Sequence, residues 1–275
     1  MIEKREMEVI SNLMVDAFED YLLYMRNVDF DKYEKEFGIT IKQMNTVCTQ
    51  FSQTILKLIM GDCLWENESL LRTVMEGSIK LTYIACEQNQ IENKMYEFSH
   101  ILPYINGQKR NSRIENILNI VDLSKKDRDV NVYHNILNCD LPTINEELNR
   151  KNRNYIKNKW DFIPMIESIQ NSEIEELTNT TVLSYPYGMM SNIVHMDYDG
   201  LNFIFERFYV RNEEEKDKVD TLQLCRQYSD LYGMMLIRAL SICIIFKSDY
   251  KELLKMPLKH QELLTRIEKQ RKLHS

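Results

Sequence analysis

The chain is short of the residues that bend a backbone. It holds 7 glycines and 5 prolines in 275 residues. An all-β fold needs turn residues at nearly every strand end, so this scarcity predicts long helices and few connections. There is no Gly-rich phosphate loop, no Gly-x-Ser-x-Gly elbow and no Cys-x-x-Cys pair. Those absences set aside the common nucleotidases, serine hydrolases and dithiol oxidoreductases. The six cysteines, Cys48, Cys63, Cys86, Cys139, Cys225 and Cys243, are scattered without zinc-ligand spacing. They read as free thiols of a reducing compartment, and no metal or cofactor is expected. The first residues lack the apolar core of a signal peptide. The most apolar run, Leu231 to Phe246, is interrupted by Arg238 and reads as too short to span a bilayer. A cytoplasmic location without a membrane partner is therefore expected.

What is present is an ordinary globular balance, with 44% hydrophobic and 28% charged residues and a formal net charge of -7. Such an acidic chain is poorly suited to a broad nucleic-acid surface, although a local basic groove stays open. The most informative stretch is Ser69 to Cys86. At about 100° per residue, Arg72, Glu76, Ile79, Tyr83 and Cys86 share one narrow face. Leu70, Val74, Gly77, Leu81, Ile84 and Ala85 cover the opposite side. A helix apolar nearly all round is a buried helix. Arg72 and Glu76, four residues apart, would be charges inside it, and buried charge demands partners.

Helical periodicity continues on both sides. Helices are predicted over residues 3–26, 40–60, 91–104, 109–123, 185–208, 219–246 and 251–273, with shorter ones near 124–140, 143–159 and 160–169. Residues 211–217 read as a charged loop. The expected fold is all-α: one multi-helix bundle over 1–248 with a buried central helix at about 69–88, and a peripheral charged helical tail over 249–275.

Two passages occur together in a telling order. One is Leu70-Leu-Arg72-Thr-Val-Met-Glu76-Gly-Ser-Ile-Lys-Leu-Thr-Tyr83. The other is Trp160, followed by Tyr187-Gly-Met-Met-Ser191-Asn-Ile-Val-His195. Over roughly residues 70–208 the chain resembles the bacterial domain-of-unknown-function family 5677. That family pairs an LLR-x-x-x-E…Y helix with a later tryptophan and a Y-x-x-x-S-x-x-x-H helix. The resemblance implies an all-helical fold and brings no settled activity. From the residues themselves, packing the second motif helix on the first would bring His195 to Glu76. Arg72 would then stay available as a fixed cation. Arg72, Glu76, Tyr83, Tyr187, Ser191 and His195 are thus the candidate ligand-binding residues. The expected ligand is a small anion, nucleotide-like in character, and a role in bacterial phage defence is plausible by association. The other reading of the same cluster is a buried polar network that fixes helix register.

A second pattern, Arg128-Asp129-Val-Asn-Val-Tyr-His134, resembles the Arg-x4–6-His motif of the HEPN ribonucleases. That resemblance implies metal-independent RNA cleavage by Arg128 and His134 in a cleft at a homodimer seam. Glu97-Phe-Ser-His100 has the Glu-x-x-His spacing of di-iron bundles but lacks the second such pair they need. Arg150, Lys151, Arg153, Lys157 and Lys159, with Tyr155 and Trp160, form the densest basic patch. It reads as a solvated face or a track for a phosphate backbone, which makes RNA the alternative partner. His260 and His274, in the charged tail, are expected to be solvated.

Overall fold

The computed structural model describes residues 4–32, 35–61, 63–120, 134–141, 144, 148–195 and 197–274. Every regular element among them is helical. In order they are α1 (Lys4–Met25), α2 (Lys35–Met60), α3 (Glu68–Ala85), α4 (Ile91–Tyr96), α5 (Leu102–Ile120), α6 (Arg150–Lys159), α7 (Phe162–Gln170), α8 (Glu175–Thr178), α9 (Ser184–His195), α10 (Tyr198–Phe205), α11 (Glu213–Ile245), α12 (Met256–Lys259) and α13 (Gln261–His274). The protein is all-α, as its composition and periodicity predict. It divides into two compact units, one made of Met1–Gln88 with Phe162–Ser275 and one made of Asn89–Asp161.

In the first unit α3 is the central element. It packs on α11, α2, α9 and α7. Leu71, Val74, Met75, Ile79, Leu81, Ile84 and Ala85 are buried around its circumference, as an all-round apolar helix requires. Its largest partner, α11, is longer than periodicity alone suggests. The segment read as a charged loop is its first turn, opened by a capping box in which Asn212 and Glu215 satisfy each other's backbone N–H. By length and composition alone α11 is able to cross a membrane, and 78% of its most apolar window is buried inside the fold.

Helix α13 packs along α11 and α1, with Leu263 and Ile267 buried. His260, expected to be solvated, is 8% exposed. Its Nε2 lies 2.8 Å from Asp20 Oδ2 and its Nδ1 3.0 Å from the Tyr232 hydroxyl. A tail histidine becomes a core group because α1 and α11 supply polar partners at the spot it enters. Lys259 also pairs with Asp20, and these contacts hold the Asp20 carboxyl below the usual carboxylate range.

The helix expected over 185–208 is two helices. Asp197 Oδ1 accepts from the Gly200 N–H and starts α10 afresh. A Cβ on Gly200 would sit 2.4 Å from the Asn192 carbonyl oxygen, so only glycine lets α10 turn back so closely on α9. As a consequence Tyr198, Leu201 and Phe205, which one continuous helix would carry on a single apolar stripe, are exposed.

In the second unit α4 passes through a π turn at Glu97–Ile101 into α5, which packs against α6. The helices predicted over 91–104 and 109–123 are not separated there: Pro103 and Gly107 both lie within α5. Pro103 falls just after the π turn, where the hydrogen-bond register shifts and its missing N–H is tolerated. Ile105, Ile114, Leu118, Ile156 and Trp160 are buried.

Candidate functional site

Helices α3 and α9 bring Arg72, Glu76, Tyr187 and His195 together. The Arg72 Nε lies 3.2 Å from Glu76 Oε1, the i, i+4 pair expected on one helix face. Arg72 Nη2 donates to the Tyr187 hydroxyl at 3.1 Å, and that hydroxyl donates to Glu76 Oε1 at 2.9 Å. Arg72 Nη1 lies 3.3 Å from His195 Nε2. The guanidinium carbon sits 5.1 Å from the Tyr187 ring centroid, and Phe162 stacks on that ring at 3.6 Å and 6°. The aromatic sandwich fixes Tyr187, and Tyr187 with Glu76 fixes the fork of Arg72.

The sequence places these residues in one spot but pairs them differently. His195 was expected against Glu76. The structure puts Tyr187 there and sets His195 against Arg72. Nor is the cluster buried: the side chains of Arg72 and Glu76 are 17% and 33% exposed, and His195 is exposed. The break before Asp197 explains this, since it leaves His195 as the last residue of α9 rather than mid-helix. Tyr83 is buried two turns beyond Glu76 on α3, and Ser191 is half-buried one turn before His195. Burial raises the Tyr187 phenol above its ordinary pKa, with Arg72 opposing and Glu76 reinforcing. Arginine has only donors. His195 Nε2 therefore accepts, the ring proton rests on Nδ1, and the histidine presents an N–H rather than a free lone pair.

A second polar cluster, which the periodicity does not reveal, lies where α3 begins, around a carboxylate in the core. Glu68 is fully buried and its Oε1 accepts from Gln223, Arg226 and Gln227 on α11, while Oε2 has no hydrogen-bond partner. Arg226 also pairs with Asp230 at 2.8 Å, and Trp65 donates to Asp220 at 3.0 Å. The available signal was the run Gln223, Gln227 and Asp230 down one side of an otherwise apolar helix. Further along α11, Arg238 is fully buried. Its Nη1 donates to Ser78 Oγ at 3.2 Å and its guanidinium lies 5.6 Å from the Tyr21 ring centroid. Its Nε and Nη2 have no partner, and no carboxylate among the described residues pairs with it.

Burial pushes the Asp230 carboxyl up to about 6, against the pull of Arg226, and pushes Glu68 upward as well. A carboxyl that holds its proton more tightly in the folded chain than in the unfolded one favours folding at low pH. It loses that contribution as pH rises through the folded value. Stability is thus expected to decline between about pH 4 and about pH 7. Urea midpoints across that range should show a shallower decline for Asp230→Asn, and an unchanged slope would remove Asp230 as its source.

The remaining candidates are placed as follows. His134 is exposed on a single helical turn at 134–137, and Arg128 lies outside the described residues. Glu97 is engaged structurally: its carboxylate accepts from Lys159 and from the Trp160 indole, both at 2.9 Å. His100 contacts Ser99 Oγ at 2.8 Å and stacks on Tyr96. Trp160, weighed as a base-stacking platform, is 6% exposed and packs on Phe98. It is a core residue of the second unit, whereas Tyr155 is exposed.

No curated protein and no solved structure matches the chain. The sequence profile of one family does, over residues 40–217, which takes in α2, α3, both motifs and the start of α11. Both halves of the Arg72–Glu76–Tyr187–His195 cluster fall within that span, and the chain belongs to DUF5677, a family of unknown function.

Proposed function

We propose that this protein binds a small anionic ligand at the exposed edge of the Arg72–His195 pair. The observation that carries the reading is the fixed guanidinium. Its Nη2 and Nη1 are engaged by Tyr187 and His195, and its Nε lies within ion-pair distance of Glu76, 3.2 Å, without a hydrogen bond to it. It is thereby held by neighbours on two helices and still reaches solvent. The His195 Nδ1–H lies beside it as a further donor at the surface. Phosphate and carboxylate groups suit a planar fork with a neighbouring N–H. Glu76 lowers the net charge of the site, which favours a ligand that uses hydrogen bonds over one drawn by charge alone.

The contact of Arg72 with His195 also supports a second reading, a metal-independent ribonuclease of toxin or phage-defence type. In it His195 would take the proton of a 2′-hydroxyl and Arg72 would hold the phosphate. The tautomer weighs against it, because the lone pair that a base needs is already engaged by Arg72.

Thermal melts decide between the two. Inorganic phosphate and nucleoside monophosphates at millimolar concentration should raise the Tm of the wild-type chain. Arg72→Gln and His195→Gln should each lose at least half of that shift while melting cooperatively. An equal shift in all three proteins would place the ligand elsewhere. RNA degraded in EDTA by the wild type and spared by His195→Gln would establish the ribonuclease instead.

A further inference from the structure

In the second unit, α5 and α6 enclose an open cleft of about 460 Å³. Ile105 and Leu141 give it an apolar lining, and Lys109, Arg153 and Lys157 set three cations around it against the single carboxylate of Glu115. Leu141 is seated tightly over α5: a Cβ on Gly107 would come within 2.3 Å of it. Arg153 is fixed without being neutralised. Its Nη1 donates to Gln108 Oε1 at 2.8 Å, and Gln108 Nε2 donates in turn to the Tyr104 hydroxyl at 2.7 Å. Both partners are uncharged. The Arg153 Nε is buried and makes no hydrogen bond. No ion pair among the described residues engages Lys109 or Lys157. A guanidinium held by one neutral amide, with two ammonium groups free of ion pairs beside it, is an anion site waiting for its charge partner.

We infer that this cleft binds a phosphate monoester no larger than a mononucleotide. Its volume falls within the range of about 300–1,000 Å³ typical of small-molecule sites. The cations would take the phosphate and the Ile105–Leu141 side would take the organic body. The inference is independent of the Arg72 site and stands on other residues.

The test is calorimetric titration of the full chain with AMP, adenosine, inorganic phosphate and a short single-stranded RNA. AMP should bind at least tenfold more tightly than adenosine or inorganic phosphate. Arg153→Gln and Lys157→Gln should each weaken AMP at least tenfold. Glu115→Gln, which removes the opposing charge, should tighten it severalfold, a gain that a merely structural residue would not give. Arg72→Gln should leave AMP at this cleft unchanged, so a failure here and a failure at the Arg72 site are distinguishable. No AMP binding at millimolar concentration would overturn the proposal. So would AMP binding indifferent to Arg153→Gln and Lys157→Gln, or binding confined to the RNA.

Discussion

Glu68→Ala is expected to destabilise the protein by about 3 kcal/mol, the lower end of what losing one partner of a buried ion pair costs. Oε1 of this carboxylate accepts from three side chains of α11, all at least partly buried. Removing it strips the buried Gln223 amide and one arm of the partly buried Arg226 of their acceptor. Two retained contacts hold the figure at the low end. Arg226 keeps Asp230, and the Gln227 amide keeps the Leu64 carbonyl at 2.6 Å. Glu68→Gln should cost about 1 kcal/mol, because its amide oxygen can still accept from α11. Urea denaturation read by helix signal gives both numbers. Equal losses for alanine and glutamine would mean that the charge matters and the hydrogen bonds do not.

The opposite sign is expected at Arg238, further along α11. Arg238→Met should raise stability, by about 1–4 kcal/mol, the range seen when buried charged groups give way to apolar ones of similar size. The guanidinium has one hydrogen bond and two unpartnered nitrogens in a site with no exposure. Its acceptor loses nothing, since Ser78 Oγ already donates to the Val74 carbonyl at 2.7 Å. The contact with the Tyr21 ring is forfeited, about 0.5–2 kcal/mol, and partly offsets the gain. Arg238→Ala removes the charge and the bulk together. It should instead destabilise by about 2–5 kcal/mol through the cavity it leaves. If methionine proves as harmful as alanine, the cation is compensated by something this core does not display.

Much of the central architecture was legible in the sequence. Ser69–Cys86 has too few polar residues for a broad solvent-facing side, and the burial of most of it follows from that. Arg72 and Glu76 then had to be met from elsewhere, and a helix carrying Tyr187 and His195 was the natural source. What periodicity could not supply was the pairing. Which of Tyr187 and His195 reaches Glu76 depends on where α9 stops, and that stop is set by Asp197 and Gly200, a local capping event with a weak signature. Glu68 was hidden for a different reason. An acid beside a helix start is usually a solvated group favoured by the helix dipole, and only the amides of a helix more than 150 residues on reveal it as core. His260 was misjudged in the same way: its neighbours in sequence are charged, its neighbours in space are Tyr232 and Asp20. The Asn212–Glu215 capping box, by contrast, was readable and simply lay inside what looked like a charge run.

The first unit is assembled from two separate lengths of chain, with the second unit strung between them. This has a consequence during synthesis. Helix α3 emerges early, yet its largest partner, α11, is complete only about 160 residues later. At typical elongation rates α3 waits roughly ten to thirty seconds for this partner. On emerging, α3 has only α2 of its main partners to pack against, and the face that α11 covers stays open until α11 follows.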